Sequence, residues 1–324
     1  MHHKAPDYHV PILGPDVSKY LITDPNGIYV DATLGGGGHA EIMLNQLGPD
    51  GKLIGIDRDP KAIEVAAKRL TPFKDRVYTV QAPFWNLRHI LAEHALETIT
   101  GILFDLGISS HQIDNADRGF SFQQRGVLDM RMGPDAKCTA HEVVNSYSQE
   151  NLTRVIKTYG EERAAARIAR AICENRPLNY TDDLADVIVR HSYGPRKQKT
   201  LARVFQALRI EVNDELTHLE DALQTAIDLL KPGGRIGVLS YHSLEHRAVK
   251  RVFELGTRDC IGPVDLPLCA CDRLPVLTLP RKRAIRPNRA EIAKNPRARS
   301  ATLRMAQRLD VSAQPWLCHQ GLLS

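Results

Sequence analysis

The run Asp31-Ala-Thr-Leu-Gly-Gly-Gly-Gly-His39 decides the fold of this chain. The apolar stretch Ile28-Tyr-Val30 precedes it and a helix-like stretch follows it, which is the order strand, glycine turn and helix of a cofactor-binding corner in an α/β sheet. Glycine allows positive φ and close approach of a ligand to the backbone, and the helix offers free N–H groups at its N-terminus. The run therefore predicts a site for a small ligand that contains adenosine.

Apolar stretches and helical periodicities alternate around this turn. Strands are predicted over 28–33, 52–57, 76–82, 101–107 and 235–240, with helices over 39–47, 60–70 and 85–95 between the first four. The turn Lys231-Pro-Gly-Gly234 precedes the last strand. This alternation predicts a doubly wound, mostly parallel α/β sheet with ligands at the carboxyl ends of its strands.

The middle of the chain has a different pattern. Residues 111–135 show no clear period and are interpreted as a loop over the active-site face, and 139–206 is helical throughout, with Ser148 and Thr181 as N-caps. A helical pattern then continues to Leu230. The predicted division is a first part of the core over 1–136, an all-helical insertion over 137–207, and a second part of the core over 208–324.

Composition places the chain among ordinary globular proteins. It has 324 residues, of which 43% are hydrophobic and 25% are charged. The N-terminus lacks the apolar core of a signal peptide and no apolar run is long enough for a membrane span, so we expect a cytoplasmic protein without membrane contact. Cys269-Ala-Cys271, with Cys260 nearby, could bind a metal, but a single CxC without a second pair is not a zinc pattern and no metal is predicted.

Positive charge is concentrated near the C-terminus. Residues 281–308 contain ten Lys and Arg residues and one acid, Glu291, so this segment carries +9 while the whole chain carries +5. A basic segment on a slightly acidic body indicates a polyanionic partner such as nucleic acid. The alternative is a solvated basic tail.

The glycine run leaves two cofactors open. Gly35, Gly37 and Ala40 match the loose G-x-G-x-x-G/A pattern, and Asp57 ends the second strand, where a carboxylate can accept hydrogen bonds from ribose hydroxyls or cap the helix that starts at Pro60. NAD and S-adenosylmethionine share this adenosine geometry. Three features favour S-adenosylmethionine, namely an acid before the glycines (Asp31), an acid at the end of the fourth strand (Asp105) and the Lys231–Gly234 turn.

The order of several longer motifs resembles the RsmH (MraW) family of bacterial 16S rRNA cytosine-N4 methyltransferases. The resemblance covers nearly the whole chain and rests on DATLGGGGHA (31–40), IGIDRDP (54–60), FDLGISSHQID (104–114), RGFSF (118–122), LDMRM (128–132), TYGEERAAARIARAI (158–172), FQALRIEVN (205–213), SYHSLEHRAVK (240–250) and NPRARSATLR (295–304). It implies a class I, Rossmann-like methyltransferase fold and N4-methylation of a cytidine in the decoding region of the rRNA, position 1402 in customary numbering. It also implies a substrate-recognition role for the helical insertion.

The resemblance also assigns residues to the cofactor pocket. It implies contacts to the amino-acid end of S-adenosylmethionine from Gly37, Gly38 and His39, to the ribose from Asp57, and to the adenine side from Phe84, with Asp105 and Gln112 completing the pocket.

The predicted chemistry is methyl transfer to a weakly basic exocyclic amine. Such a nitrogen cannot be deprotonated beforehand near pH 7, so the enzyme must align the reactants and stabilise the positive charge that develops on N4. We hypothesise that Asp105 accepts a hydrogen bond from the amine and that Tyr241 or His242 packs against the base. Asp105 could instead be a pure cofactor ligand, and His242 could accept the proton later or satisfy a backbone group.

Arginines are the predicted contacts to RNA phosphates. The candidates are Arg118, Arg131, Arg297, Arg299 and Arg304. The expected partner is 16S rRNA within the small (30S) ribosomal subunit, and a second copy of the chain in a homodimer is considered as well. Surface or intramolecular ion pairing is the alternative for each arginine.

Two rival functions are an RNA-binding assembly factor without chemistry and an NAD-dependent oxidoreductase. Intact Gly37, Asp57 and Asp105 argue against the first, and Asp31, Asp105 and the Lys231–Gly234 turn argue against the second.

Overall fold

The structure is a computed structural model that describes residues 11–192, 197–259 and 274–311. Its contacts divide the chain into two compact units. The sheet unit comprises Met1–Asp57, Lys61–Gly107 and Leu219–Ser324, and the helical unit comprises Arg58–Pro60 and Ile108–His218. The predicted insertion had its boundaries at 137 and 207, whereas the compact helical unit begins at Ile108 and ends at His218.

A seven-stranded sheet forms the sheet unit. Its strands are β1 (Ile28–Asp31), β2 (Lys52–Asp57), β3 (Val77–Gln81), β4 (Ile99–Asp105), β5 (Leu230–Ser240), β6 (Leu277–Thr278) and β7 (Thr302–Arg308). The strand order is β3-β2-β1-β4-β5-β7-β6. Pairs among the first five strands are parallel, while β7 runs antiparallel to β5 and β6. The predicted fold class, a doubly wound and mostly parallel class I sheet, is confirmed.

Thirteen α-helices lie in the described part of the chain. They are α1 (Gly14–Leu21), α2 (Gly38–Leu44), α3 (Pro60–Arg69), α4 (Leu87–Glu93), α5 (Ser110–Asp114), α6 (Ala140–Ser146), α7 (Gln149–Gly160), α8 (Ala165–Glu174), α9 (Thr181–Arg190), α10 (Lys197–Asn213), α11 (Leu219–Leu229), α12 (Ser243–Gly256) and α13 (Arg289–Lys294). None of these is both long and apolar enough to cross a membrane. Helices α5 to α10 belong to the helical unit.

Each unit has a buried core of its own. In the sheet unit, fully buried side chains from β1, α2 and β2, including Tyr29, Met43 and Leu53, pack together. In the helical unit, the apolar faces of its helices meet around residues such as Ile156 and Leu208. Burial of one apolar stripe per helix and of both sheet faces is what the alternating pattern of the sequence requires.

Local structure departs from the sequence prediction at three places. The continuous helix predicted through Leu230 is wrong, because Asp214 adopts φ 51° and separates α10 from α11. The loop predicted over 111–135 contains part of α5 and a 3-10 turn, Ala116–Arg118. Ser148 caps α7 as expected, but Thr181 is the first residue of α9, and its hydroxyl accepts the Gly126 N–H instead.

The Lys231–Gly234 turn is built into strand β5. Leu230 pairs with Ile99 and Arg235 pairs with Gly101, so the intervening residues bulge out of the ladder. Gly233 adopts φ 78°, a conformation that favours glycine. The expected turn is therefore present, but as a bulge within a strand.

Candidate active site

Three neighbouring strands bring acidic and aromatic residues to one edge of the sheet. Asp31 ends β1 and pairs with Leu103, Asp105 ends β4 and pairs with Leu239, and Tyr241 follows the end of β5. Parallel strands present their carboxyl ends on the same edge, which is where ligands bind in open α/β sheets. This edge is the candidate active site.

The glycine turn lies at the same edge. Gly35 and Gly37 adopt φ of 51° and 77°, and Gly37 is the N-cap residue of α2. The Gly35 N–H donates to Asp57 Oδ2 over 2.7 Å, so the second-strand carboxylate holds the turn. The structure thus brings together the predicted residues Gly37, Asp57 and Asp105 within one unit.

A buried imidazole connects the Asp105 carboxylate with a backbone carbonyl oxygen. His39 Nδ1 lies 3.4 Å from Asp105 Oδ2, and its Nε2 lies 3.0 Å from the Ile12 carbonyl oxygen. Both partners are acceptors, so both ring nitrogens carry protons when both contacts are made. Burial opposes the charged ring, but the carboxylates of Asp105 and Asp31 outweigh it and raise the pKa of His39.

Asp105 is held at three points. Tyr241 donates its hydroxyl to Asp105 Oδ1 over 2.6 Å, His39 faces Oδ2, and the Asp105 N–H donates to Thr33 Oγ1 over 2.6 Å. Burial raises the pKa of the Tyr241 phenol well above its usual range, and the Asp105 carboxylate raises it further. The phenol therefore stays protonated and keeps donating to Asp105. We call Asp31, His39, Asp105 and Tyr241 the edge cluster.

The loop that carries Tyr241 is fixed by Glu245. This buried carboxylate accepts the N–H groups of Tyr241 (2.7 Å) and His242 (3.2 Å) at the start of α12. His242 Nδ1 accepts the Glu245 N–H at 3.4 Å, and His242 Nε2 lies 3.1 Å from Glu245 Oε1. The His242 ring is thus used in a capping box, and its catalytic role stays a prediction.

Comparison with known proteins decides the family. The model of the MraW methylase family matches residues 7–309 of this chain. The chain belongs to the MraW methylase family. It is 47% identical over 306 residues to the ribosomal RNA small subunit methyltransferase H of Carboxydothermus hydrogenoformans, covering 93% of this chain and 98% of that protein. It is 46% identical to the protein of that name from Syntrophotalea carbinolica, covering the same shares of the two chains.

Members of this family are methyltransferases, and the cofactor of this chain is S-adenosyl-L-methionine. The site fits this molecule's amino-acid head group. Asp31 is 1% exposed, its Oδ1 accepts the Thr33 N–H at 3.3 Å, and its Oδ2 has no hydrogen-bond partner among the described residues. Burial raises the pKa of Asp31 to about 7. A cationic ammonium group at Oδ2 would satisfy this oxygen and favour its charged form.

The other two predicted cofactor residues are Phe84 in the sheet unit and Gln112 in the helical unit. The Phe84 ring, in the 3-10 turn after β3, packs edge-on against Phe104 with ring centres 5.7 Å apart. Within the helical unit, Gln112 is buried, donates to Asp59 Oδ2 at 3.0 Å and accepts the Ser109 N–H at 3.0 Å. The adenine contact of Phe84 and the cofactor contact of Gln112 stay predictions.

Two predicted RNA contacts in the helical unit are already paired. Arg118 donates to the buried carboxylate of Asp59 over 2.8 Å and, through its other terminal nitrogen, to the carbonyl oxygens of Arg131 and Met132. Arg131 forms a two-point ion pair with Asp129, at 2.9 and 2.7 Å. These contacts match the alternative of intramolecular pairing.

The remaining predicted RNA contacts lie near β7. Arg299 is exposed and Arg297 half-buried in the 3-10 turn Pro296–Ser300, whereas Arg304 lies within β7 and its Nε is buried without a partner in the described part of the chain. The cysteines considered for a metal, Cys260, Cys269 and Cys271, lie outside the described residues.

Sequence reasoning missed three residues that support the site. Thr33 accepts the Asp105 N–H and Glu245 accepts the Tyr241 N–H, so each orients its partner. Asp59 accepts a hydrogen bond from Arg118. The spacing of His242 and Glu245 is that of a capping box and could have indicated Glu245. No local pattern indicates the hydroxyl of Thr33 or the partner of Asp59, because both contacts join residues far apart in sequence.

Proposed function

We propose that this protein methylates N4 of a cytidine in the 16S rRNA of the small ribosomal subunit, at position 1402 in customary numbering. The observation that carries the proposal is the Asp105 carboxylate at the end of β4, held by Tyr241 and His39 beside the glycine turn, while the Asp105 backbone N–H donates to Thr33. The names of the relatives, ribosomal RNA small subunit methyltransferases, support the choice of rRNA. The choice of N4 rests on the resemblance and on the chemistry below.

The chemistry requires an oriented acceptor rather than a strong base. The lone pair of a cytosine amine is delocalised into the ring, so an acceptor that draws on one N–H turns the lone pair toward the methyl group. Asp105 is the acceptor in this proposal. Tyr241 and His39 each donate toward one of its oxygens, which leaves the remaining lone pairs for the amine.

S-adenosylmethionine supplies a methyl group on a positively charged sulfur that departs as a neutral thioether. Formation of the C–N bond leaves a positive charge on N4, and this nitrogen then loses one proton. Asp105 receives that proton and passes it to solvent. Cationic His39 beside Asp105 stabilises the carboxylate before transfer.

Bound cofactor would be held by residues of the edge. Asp31 Oδ2, which no described residue hydrogen-bonds, can accept from an ammonium group, the backbone of Gly37 and Gly38 permits close approach, and Asp57 holds the turn from the ribose side. A homodimer and the recognition of rRNA by the helical unit stay predictions.

Nucleoside analysis tests the proposal. Purified protein and labelled S-adenosylmethionine are incubated with 30S subunits from a strain that lacks the enzyme, and the rRNA is digested for mass spectrometry. We expect N4-methylcytidine at a single position, mapped by fragment masses to 1402, and labelling about a thousandfold slower with an Asp105→Ala variant. Label in a different nucleoside, or at a different cytidine, would refute the assignment.

A further inference from the structure

The segment that precedes β7 lies along the candidate active-site edge. Because β7 runs antiparallel to β5, Thr302 at its start pairs with Ser240 at the end of β5, directly before Tyr241. The 3-10 turn Pro296–Ser300 therefore enters the sheet at the edge where Asp105 ends β4. Ile285 also reaches this end through a bridge to Leu303.

Helix α13 is attached to the same edge through the N-terminal part of the chain. Glu291 Oε1 accepts the Leu13 N–H over 2.7 Å, while the preceding carbonyl, that of Ile12, contacts His39 Nε2 at 3.0 Å. Consecutive residues thus connect α13 with the edge cluster. Glu291 is the sole acid in 281–308, and this backbone contact occupies one of its two carboxylate oxygens.

Exposed cations of this segment lack carboxylate partners. Arg286, Arg289, Lys294 and Arg299, here called the basic rim, are all exposed, and none forms an ion pair with any described residue. Elsewhere in the sheet unit, by contrast, Arg69 pairs with Glu41 at 2.9 Å. Exposed guanidinium groups without partners keep their donors free for phosphate oxygens.

From this placement we infer that the basic rim binds the rRNA backbone on either side of the target nucleotide. The inference rests on the proposed function and adds to it the surface that holds the substrate at the edge cluster. Within the described residues, the exposed large hydrophobic side chains are Tyr78, Val127, Tyr180 and Leu274, all outside the rim. The rim thus offers charge without stacking surfaces, which suits phosphates better than bases.

A charge-removal triple variant tests the inference. Arg286→Gln, Arg289→Gln and Arg299→Gln are combined in the full chain, and the control combines Lys52→Gln, Lys74→Gln and Arg258→Gln. The control removes the same number of positive charges from exposed residues near the starts of β2 and β3 and the end of α12, away from the candidate active-site edge, and none of the three forms an ion pair with a described residue. The Kd for unmodified 30S subunits is measured between about 50 and 200 mM salt, a range over which phosphate contacts change affinity strongly.

We expect the rim variant to bind subunits at least about tenfold more weakly. The slope of log K against log salt should become shallower by about 2 to 3, because each of the three lost phosphate contacts contributes roughly 0.7 to 0.9 to it. The control should change neither quantity to this extent. At saturating subunits the single-turnover rate and the Kd for S-adenosylhomocysteine should match the wild-type protein, because the rim does not touch the edge cluster.

Equal losses in the rim variant and the control would overturn the inference, since they would indicate a response to net charge alone. An unchanged slope in the rim variant would also overturn it. Loss of binding to anionic phospholipid vesicles with intact subunit binding would assign the rim to a membrane surface instead. If the product is not N4-methylcytidine but the rim variant still loses subunit binding, the proposed function fails while the rim remains an rRNA-binding surface.

Discussion

The edge cluster and the basic rim lie along one edge of the sheet, but their charged groups differ in exposure and in pairing. In the cluster, the His39 ring is buried and the Asp105 carboxylate is half-buried, and both are fixed by partners at named atoms. In the rim, Arg286, Arg289, Lys294 and Arg299 are exposed and have no ion pair with a described residue. The difference separates two tasks, because fixed buried charge orients a reacting atom while free exposed charge attracts a polyanion.

Removal of the acceptor should have the largest effect. Asp105→Ala is expected to lower kcat about a thousandfold, within the ~10²- to 10⁴-fold range of positioned proton acceptors. The Kd for subunits should stay within about twofold, because the rim is intact. Single-turnover methylation and subunit binding are measured on the same preparation.

The Asp105→Ala experiment also separates the two interpretations of this residue. If Asp105 were a pure cofactor ligand, the Kd for S-adenosylhomocysteine would rise by as much as kcat/KM falls. Calorimetric titration with S-adenosylhomocysteine therefore decides whether the acceptor role holds.

Asp31→Asn should stabilise the cofactor-free protein in a pH-dependent way. Burial raises the pKa of Asp31 from 3.8 to about 7, so the folded state disfavours the charged carboxylate. This destabilisation is absent below pH 3.8, grows as pH rises toward 7 and is complete above it, with an upper bound of about 4 kcal/mol at 1.36 kcal/mol per pH unit.

Thermal unfolding at pH 5.5 and pH 8 measures the Asp31 effect. The gain in Tm of Asp31→Asn over wild type should be larger at pH 8, and the variant should bind S-adenosylhomocysteine more weakly. A gain that is equal at both pH values, or larger at pH 5.5, would contradict the account. Asp50→Asn, on exposed Asp50 in the turn between α2 and β2, serves as the control.

Two variants of Tyr241 separate the contribution of its hydroxyl from that of its ring. Tyr241→Phe removes the donor to Asp105 and should lower kcat about tenfold, since a hydrogen bond to a charged group contributes ~1.5 to 3 kcal/mol. If the Tyr241 ring, rather than His242, packs against the base, Tyr241→Leu should raise the KM for subunits beyond that of Tyr241→Phe. Equal KM values in the two variants would restrict Tyr241 to holding Asp105.

Sequence reasoning predicted the elements whose cause is local. Apolar runs mark β1, β2, β4 and β5, and the glycine run gives the turn with positive φ at Gly35 and Gly37. Strand ends share an edge in a parallel sheet, so the closeness of Asp31, Asp57 and Asp105 also follows from the pattern.

The pairing of side chains could not be predicted in the same way. Composition shows which segments are basic, but it does not show that Arg118 has a buried partner in Asp59 while Arg289 forms no ion pair with a described residue. The separation of α10 and α11 was also missed, because helical periodicity continues across Asp214, where the backbone adopts φ 51°. Contacts between distant residues decide the pairing of the arginines.

The smallest expected effect comes from an arginine that is already paired. Arg131→Gln removes a positive charge from the helical unit, but that guanidinium is held by Asp129 at two points. Its charge is compensated before any RNA binds, so the salt slope for 30S binding should change by less than about 0.5, against ~1 for a true phosphate contact. A slope change near 1 would show that the ion pair opens on binding and that pairing in the free protein does not separate RNA-binding arginines from structural ones.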